Sequence, residues 1–89
     1  MNRKLMEILA CPIDKNFPLE LMELTTNMEI VSEGVIYCSK CSRYYPIIEE
    51  IPIMLPDELR DKNQDMEFLN KNKGTLPDKI VKNGFPWHL

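Results

Sequence analysis

The alternation of apolar and polar residues predicts a small sheet in the middle of the chain. In residues 17–24, leucines alternate with glutamates, which indicates a strand with one buried face. Further short apolar runs predict strands at residues 28–31, 35–38, 44–48 and 51–55, separated by turns at residues 25–27 and 32–34. Pro46 and Pro52 lack a backbone donor, so the last two strands are expected at an edge of the sheet or in one-sided pairing.

Helical patterns lie at both ends of the chain. Residues 2–10 carry four apolar residues at helical spacing, and Asn2 can cap the helix that they predict. A second helix is predicted from residue 56 to about residue 73, with acidic residues in its first turn and Gly74 after its end. One more turn or two is predicted within residues 76–81. The helix predicted from residue 56 to about residue 73 has few apolar positions, which predicts that it is largely solvated.

These elements predict an α+β fold, a small zinc-ribbon-like antiparallel sheet with an N-terminal helix and a C-terminal helix. We divide the chain into a zinc-ribbon-like domain at residues 1–58 and a helical C-terminal extension at residues 59–89. With 89 residues the chain can build only a marginal core, and folds of this size often recruit a metal or a partner.

Two turns of similar spacing suggest a metal site. Cys38 and Cys41 form a Cys-x-x-Cys turn, which can present two thiolates to one tetrahedral ion. Upstream, Cys11 has the same spacing to Asp14, whose carboxylate is a weaker zinc ligand than a thiolate. These four residues are the candidate zinc ligands. Two alternatives remain: thiols packed without metal as small apolar groups, and an oxidised or redox-active Cys38–Cys41 pair.

The composition narrows the classes of function. A net charge of −3 and a pI near 5.1 argue against a surface that binds nucleic acid. The sequence has no apolar run that could span a membrane and no export signal, so we expect a cytoplasmic protein. The only histidine is His88, and the three glycines are isolated. We therefore predict that the protein is not an enzyme and has no catalytic residues.

An excess of apolar residues follows the second Cys pair, between Ile47 and Leu55. Alternate side chains of a strand face opposite sides, so a small ribbon buries one set well and leaves the other to be covered. Either a partner protein covers that set, or the two helices each cover one face of the sheet.

The ordered motifs together resemble a known family. These motifs are Leu-x-x-Ile-Leu-Ala-Cys-Pro at residues 5–12, the Cys-x-x-Cys turn, Tyr45-Pro46-Ile47, and Ile-Pro-Ile-Met-Leu at residues 51–55. The chain resembles, over residues 4–58, the small zinc-ribbon activator subunit of tRNA, rRNA and release-factor methyltransferases, the multifunctional methyltransferase subunit of the Trm system. It is similar to the short prokaryotic or archaeal type.

The resemblance implies a subunit without activity of its own. Its partner would be an S-adenosylmethionine-dependent methyltransferase, most simply a tRNA methyltransferase, in a one-to-one heterodimer in which the partner binds the S-adenosylmethionine. The family pairs strands with its partner, which places the interface at two segments of this chain: Tyr45, Pro46, Ile47 and Ile48, then Ile51, Pro52, Ile53, Met54 and Leu55.

Two other classes of function are left open. One is a free-standing zinc-ribbon adaptor that binds nucleic acid or a polymerase, against which the low pI speaks. The other is a redox protein, against which the missing strand-then-helix context after Cys41 speaks.

Overall fold

The core of the structure, a computed structural model that describes residues 1–89, is an antiparallel sheet built from consecutive strands. Its strands are β1 (Glu20–Asn27), β2 (Ile30–Tyr37), β3 (Tyr44–Ile48) and β4 (Ile51–Pro52), in the spatial order β1-β2-β3-β4. All neighbours pair antiparallel. This sheet and the flanking helices confirm the predicted α+β class.

The helices are shorter than the sequence pattern predicts. A 3-10 helix spans Arg3–Glu7 and another spans Asp57–Leu59, and the α-helices are α1 (Lys62–Asn72) and α2 (Asp78–Val81). The side chain of Asn2 accepts a hydrogen bond from the amide of Lys4, which confirms the predicted cap. No helix combines the length and the apolar character needed to cross a membrane.

The predicted turn at residues 32–34 is wrong, because β2 runs unbroken through Gly34. The glycine pairs with Glu23 on one side and with Ile47 on the other. A Cβ at this position would lie 2.6 Å from the carbonyl oxygen of Met22. Gly34 therefore permits a close approach of two backbones and does not mark a turn.

The first hairpin is also displaced from its prediction. The β-branched pair Thr25 and Thr26 continues β1, and the chain turns at Met28 and Glu29 instead of at residues 25–27. The strand begins later as well, since residues 17–19 precede it. Regular pairing of β4 ends at Pro52, although the prediction extended it to residue 55, and only Ile53 bonds further to β3, from its amide to the carbonyl of Pro46.

The predicted helix from residue 56 to residue 73 is interrupted at Arg60. Its guanidinium is fully buried, donates to the carbonyl oxygen of Tyr44 and forms an ion pair with Asp65. Asp61 then caps α1 by accepting from the amide of Gln64. The extended backbone at Arg60 lets its side chain reach the sheet, and a continuous helix would not allow this contact.

The sheet is covered on both faces by the chain itself. One core lies under the N-terminal segment, and α1 and α2 pack on the other face, but Ile51 and Leu55 of the apolar excess remain exposed. Buried residues of the first core are Met1, Cys11, Leu19, Val31, Ile36, Cys38, Tyr45 and Ile47. Buried residues of the second are Val35, Tyr37, Tyr44, Phe68, Leu69, Leu76, Ile80 and Val81.

The prediction that the helix before residue 73 is largely solvated is wrong. Phe68 and Leu69 of α1 are buried and form part of the second core. The predicted division of the chain after residue 58 stays a prediction.

Candidate metal centre and sheet edge

The two turns that carry the candidate ligands, which we call the first and second knuckles, have the same backbone. In the first, the carbonyl of Cys11 accepts from the amide of Lys15 at 2.8 Å. In the second, the carbonyl of Cys38 accepts from the amide of Ser42 at 2.9 Å. Lys15 and Ser42 have positive φ angles of 60° and 62°. The chain therefore reverses in the same way at both sites.

A second hydrogen bond closes each knuckle, from the amide of the first cysteine to a carbonyl five residues later. These pairs are Cys11 to Asn16 at 3.0 Å and Cys38 to Arg43 at 2.9 Å. The correspondence places Asp14 at the position in the first knuckle that Cys41 has in the second. A paired-knuckle frame for four ligands is thus complete.

The structure brings the four predicted ligands together. The sulfur and carboxylate atoms of Cys11, Asp14, Cys38 and Cys41 all lie within 4.8 Å of one another. The sulfurs of Cys11 and Cys41 are 3.7 Å apart, and that of Cys38 is 3.6 Å from both carboxylate oxygens of Asp14. Tetrahedral zinc with ordinary bond lengths requires about 3.8 Å between two sulfurs and about 3.5 Å between sulfur and oxygen. The residues fit a zinc ion.

Polar groups around the sulfurs favour bound thiolates over apolar packing. The hydroxyl of Tyr45 lies 3.1 Å from the sulfur of Cys11, and the side-chain amide of Asn16 donates to Cys38 at 3.6 Å. The backbone amide of Asn16 also donates to Asp14 at 2.9 Å. Such donors orient metal ligands and stabilise their negative charge. Sequence reasoning missed Asn16; its position, matching that of Arg43 in the second knuckle, was the available signal.

The pKa directions argue against a reactive thiol. Burial raises the pKa of Cys41 to about 12, although the nearby side chain of Arg43 acts in the opposite direction. A thiol of this pKa is protonated at neutral pH unless a metal displaces the proton, whereas redox-active cysteines have lowered pKa values. The backbone hydrogen bond from Asn16 lowers the pKa of Asp14, so this ligand is already ionised at neutral pH.

The predicted interface residues divide between buried and accessible positions. Tyr45, Pro46 and Ile47 are fully buried in the chain's own sheet, and Ile48 is half-buried. On the segment that follows, Pro52, Ile53 and Met54 are half-buried, while Ile51 is 61% and Leu55 39% exposed. The part of all nine residues in a partner contact stays a prediction.

The backbone groups of these two segments also differ in whether they are hydrogen-bonded within the chain. The outer edge of β3 is closed at Tyr44, whose amide donates to Phe85 and whose carbonyl accepts from Arg60. The amides of Met54 and Leu55 have no backbone acceptor within the chain. The free part of the edge is therefore the segment after β4.

Comparisons with known proteins find relatives of this chain. The family model of Trm112p-like protein matches residues 2–50. A UPF0434 protein of Ectopseudomonas mendocina is 44% identical over 71 residues, which cover 80% of this chain and all of that protein. A UPF0434 protein of Nitrosococcus oceani is 34% identical over 68 residues, covering 76% of this chain and all of that protein.

A solved structure shares the fold. It is the Haloferax volcanii Trm112 methyltransferase activator, in complex with a candidate methyltransferase. The match has a TM-score of 0.64 and 35% sequence identity, and it covers 67% of this chain and 100% of that chain.

Proposed function

The chain belongs to the Trm112p-like family, and from this we propose that it is a non-catalytic subunit that binds and activates an S-adenosylmethionine-dependent methyltransferase. The observation that carries the proposal is its likeness, in fold and sequence, to the whole of the Haloferax volcanii activator, which was solved with its candidate methyltransferase. We propose a tRNA methyltransferase as the partner, in a one-to-one heterodimer in the cytoplasm. Methyltransferases of rRNA or of a release factor would use the same interface.

The chain's own chemistry is consistent with a supporting role. Its single histidine, His88, has its Nδ1 3.1 Å from the carbonyl oxygen of Gly84. The zinc-fitting cluster offers four protein ligands, which is the closed set typical of structural zinc; catalytic zinc keeps a position open for water or substrate. A bound ion would hold the two knuckles together and stabilise the fold. The S-adenosylmethionine would be bound by the partner.

The partner would add to the β4 side of the sheet. The other edge, β1, carries charged side chains such as Glu20 and Glu23, which discourage pairing with another chain. The β4 side offers the unpaired amides of Met54 and Leu55 next to exposed apolar side chains. A partner strand placed there would satisfy these donors and bury Ile51 and Leu55.

Co-expression tests the proposal. The chain should co-purify with a methyltransferase of its source organism as a one-to-one complex whose activity on tRNA exceeds that of the enzyme alone. Methyltransferases that are fully active and soluble without the chain, and that never bind it, would contradict the activator role. Retention of the isolated chain on heparin or tRNA would instead support a nucleic-acid adaptor.

A matched pair of variants tests the interface. Leu55→Asp places a charge on the free edge, whereas Met28→Asp places one on another exposed apolar residue, in the β1–β2 turn. Leu55 is 39% exposed, so covering its remaining surface contributes about 1 kcal/mol, and burying the unpaired charge of an aspartate costs more; Leu55→Asp should therefore weaken the complex by about tenfold or more. Met28→Asp should leave the affinity unchanged. Ile53 is less suitable because it is half-buried and its amide bonds to β3.

A further inference from the structure

The C-terminal residues 84–89, which we call the tail, are hydrogen-bonded to the second knuckle. The amide of Phe85 donates to the carbonyl of Ser42 at 2.9 Å, and the carbonyl of Phe85 accepts from the amide of Tyr44 at 3.2 Å. Ser42 directly follows the candidate ligand Cys41, and its own amide closes the knuckle onto Cys38. Phe85 thus bonds to two residues, Ser42 and Tyr44, in the segment that leads from the second knuckle into β3.

The tail reaches this place by a close approach that requires glycine. A Cβ on Gly84 would lie 2.6 Å from the carbonyl oxygen of Ile80 and 2.7 Å from the ring of Tyr44. Any side chain at position 84 would force the tail, α2 or β3 to move. The tail can therefore follow its path between α2 and β3 only with a glycine at this position. Further along, the indole of Trp87 donates to the buried carboxylate of Asp65 at 3.0 Å.

The first knuckle has no such attachment. The residue equivalent to Ser42 is Lys15, and its carbonyl accepts no backbone hydrogen bond. The two knuckles share their internal hydrogen bonds, so the second is distinguished by the tail and by the ion pair of Arg43 with Asp57. The tail attaches to the knuckle that carries two thiolates, not to the one in which Asp14 supplies an oxygen.

We propose that the tail is a positioning element for the metal centre. The docked tail holds Ser42 and thereby preorganises Cys38 and Cys41 in the geometry that zinc requires. Zinc then binds without the entropic cost of ordering this turn, so docking of the tail raises the affinity for zinc. By linkage, bound zinc stabilises the docked tail to the same extent. The proposal rests on the zinc site and does not depend on the methyltransferase partner.

Release of the tail tests the first half of this linkage. Gly84→Ala should displace the tail, while Gly74→Ala is the matched control, because a Cβ at Gly74 meets nothing within 4 Å. Zinc affinity is measured by competition with a chromophoric chelator. We expect Gly84→Ala to raise the zinc dissociation constant by about fivefold or more, the usual range of such couplings, and Gly74→Ala to leave it unchanged. If Gly84→Ala lowers the melting temperature but not the zinc affinity, the tail is merely structural and the proposal is wrong.

The unaltered chain tests the second half, without dependence on a variant that folds. Trp87 is the only tryptophan and reports on the tail. Acrylamide should quench its fluorescence less in the zinc-loaded protein than after treatment with a chelator. Equal quenching in both states, or no zinc binding at all, would overturn the proposal. Neither experiment involves a methyltransferase, so their failure is distinguishable from failure of the activator role.

Discussion

The carboxylate of Asp14 lies 3.6 Å from the sulfur of Cys38. In the second knuckle the equivalent residue is Cys41, which presents a sulfur to the same cluster. Because the two knuckles share their backbone hydrogen bonds, Asp14 can be replaced without rebuilding the turn. The carboxylate is therefore a variation within a frame suited to four ligands. Oxygen binds zinc less tightly than a thiolate does, so this corner is the weakest of the site.

Asp14→Cys should increase zinc retention. The new thiolate would complete a four-cysteine set, and the chelator concentration that removes half of the zinc should rise, by about tenfold if the gain is about 1.4 kcal/mol. Metal analysis of reduced protein before and after dialysis against the chelator measures this. Asp14→Ala serves as the opposite variant and should lose zinc. Protein that contains no zinc in any of the three forms would contradict the metal assignment.

Zinc affinity should increase with pH. The pKa of Cys41 is raised to about 12 by burial, so this thiol is protonated at neutral pH and must release its proton when zinc binds. Below that pKa, each unit of pH should strengthen binding by about tenfold for every proton released. Titrations at about pH 6, pH 7 and pH 8 would measure the slope. An affinity independent of pH would contradict zinc binding by the cysteine thiolates.

The sequence predicted the four candidate ligands of the metal cluster but not the residues around them. Spacing alone identified Cys11, Asp14, Cys38 and Cys41, since ligands of one ion must lie at short intervals along each turn. It could not show Tyr45 beside Cys11, because that contact joins residues more than thirty positions apart through the packing of β3.

The errors in the predicted strands and helices also arise from contacts between residues far apart in the sequence. Gly34 in a central strand and Arg60 at a helix break are placed by contacts with Met22 and Asp65. A local pattern assigns such residues to a turn and to a helix, because it contains no information about distant partners.

Gly34→Ala should destabilise the sheet. The added methyl group would meet the carbonyl oxygen of Met22, which belongs to the backbone of β1 and cannot rotate away. Overpacking of this kind costs about 1–3 kcal/mol, measured as the free energy of unfolding in urea. Gly74→Ala, with open space around it, should be neutral or stabilise by a few tenths of a kcal/mol to about 1 kcal/mol. Equal effects of both substitutions would show that β1 and β2 are not in close contact at this point.

Asp65→Ala should be among the most destabilising single substitutions in the chain. Both side chains of the Arg60–Asp65 ion pair are fully buried, and the carboxylate also accepts from Trp87. Removal of the acid would leave the guanidinium of Arg60 buried without a counter-charge, which typically costs about 3–5 kcal/mol.

The exposed ion pair between Lys71 and Glu33 provides the control, since loss of such a pair changes stability by about 1 kcal/mol or less. Urea unfolding of Asp65→Ala and Glu33→Ala compares the two directly. The tail should loosen in the first variant only, because Trp87 loses its acceptor, and acrylamide should then quench its fluorescence more strongly. Similar stability losses in the two variants would contradict the view that the buried pair fastens the C-terminal extension to the sheet.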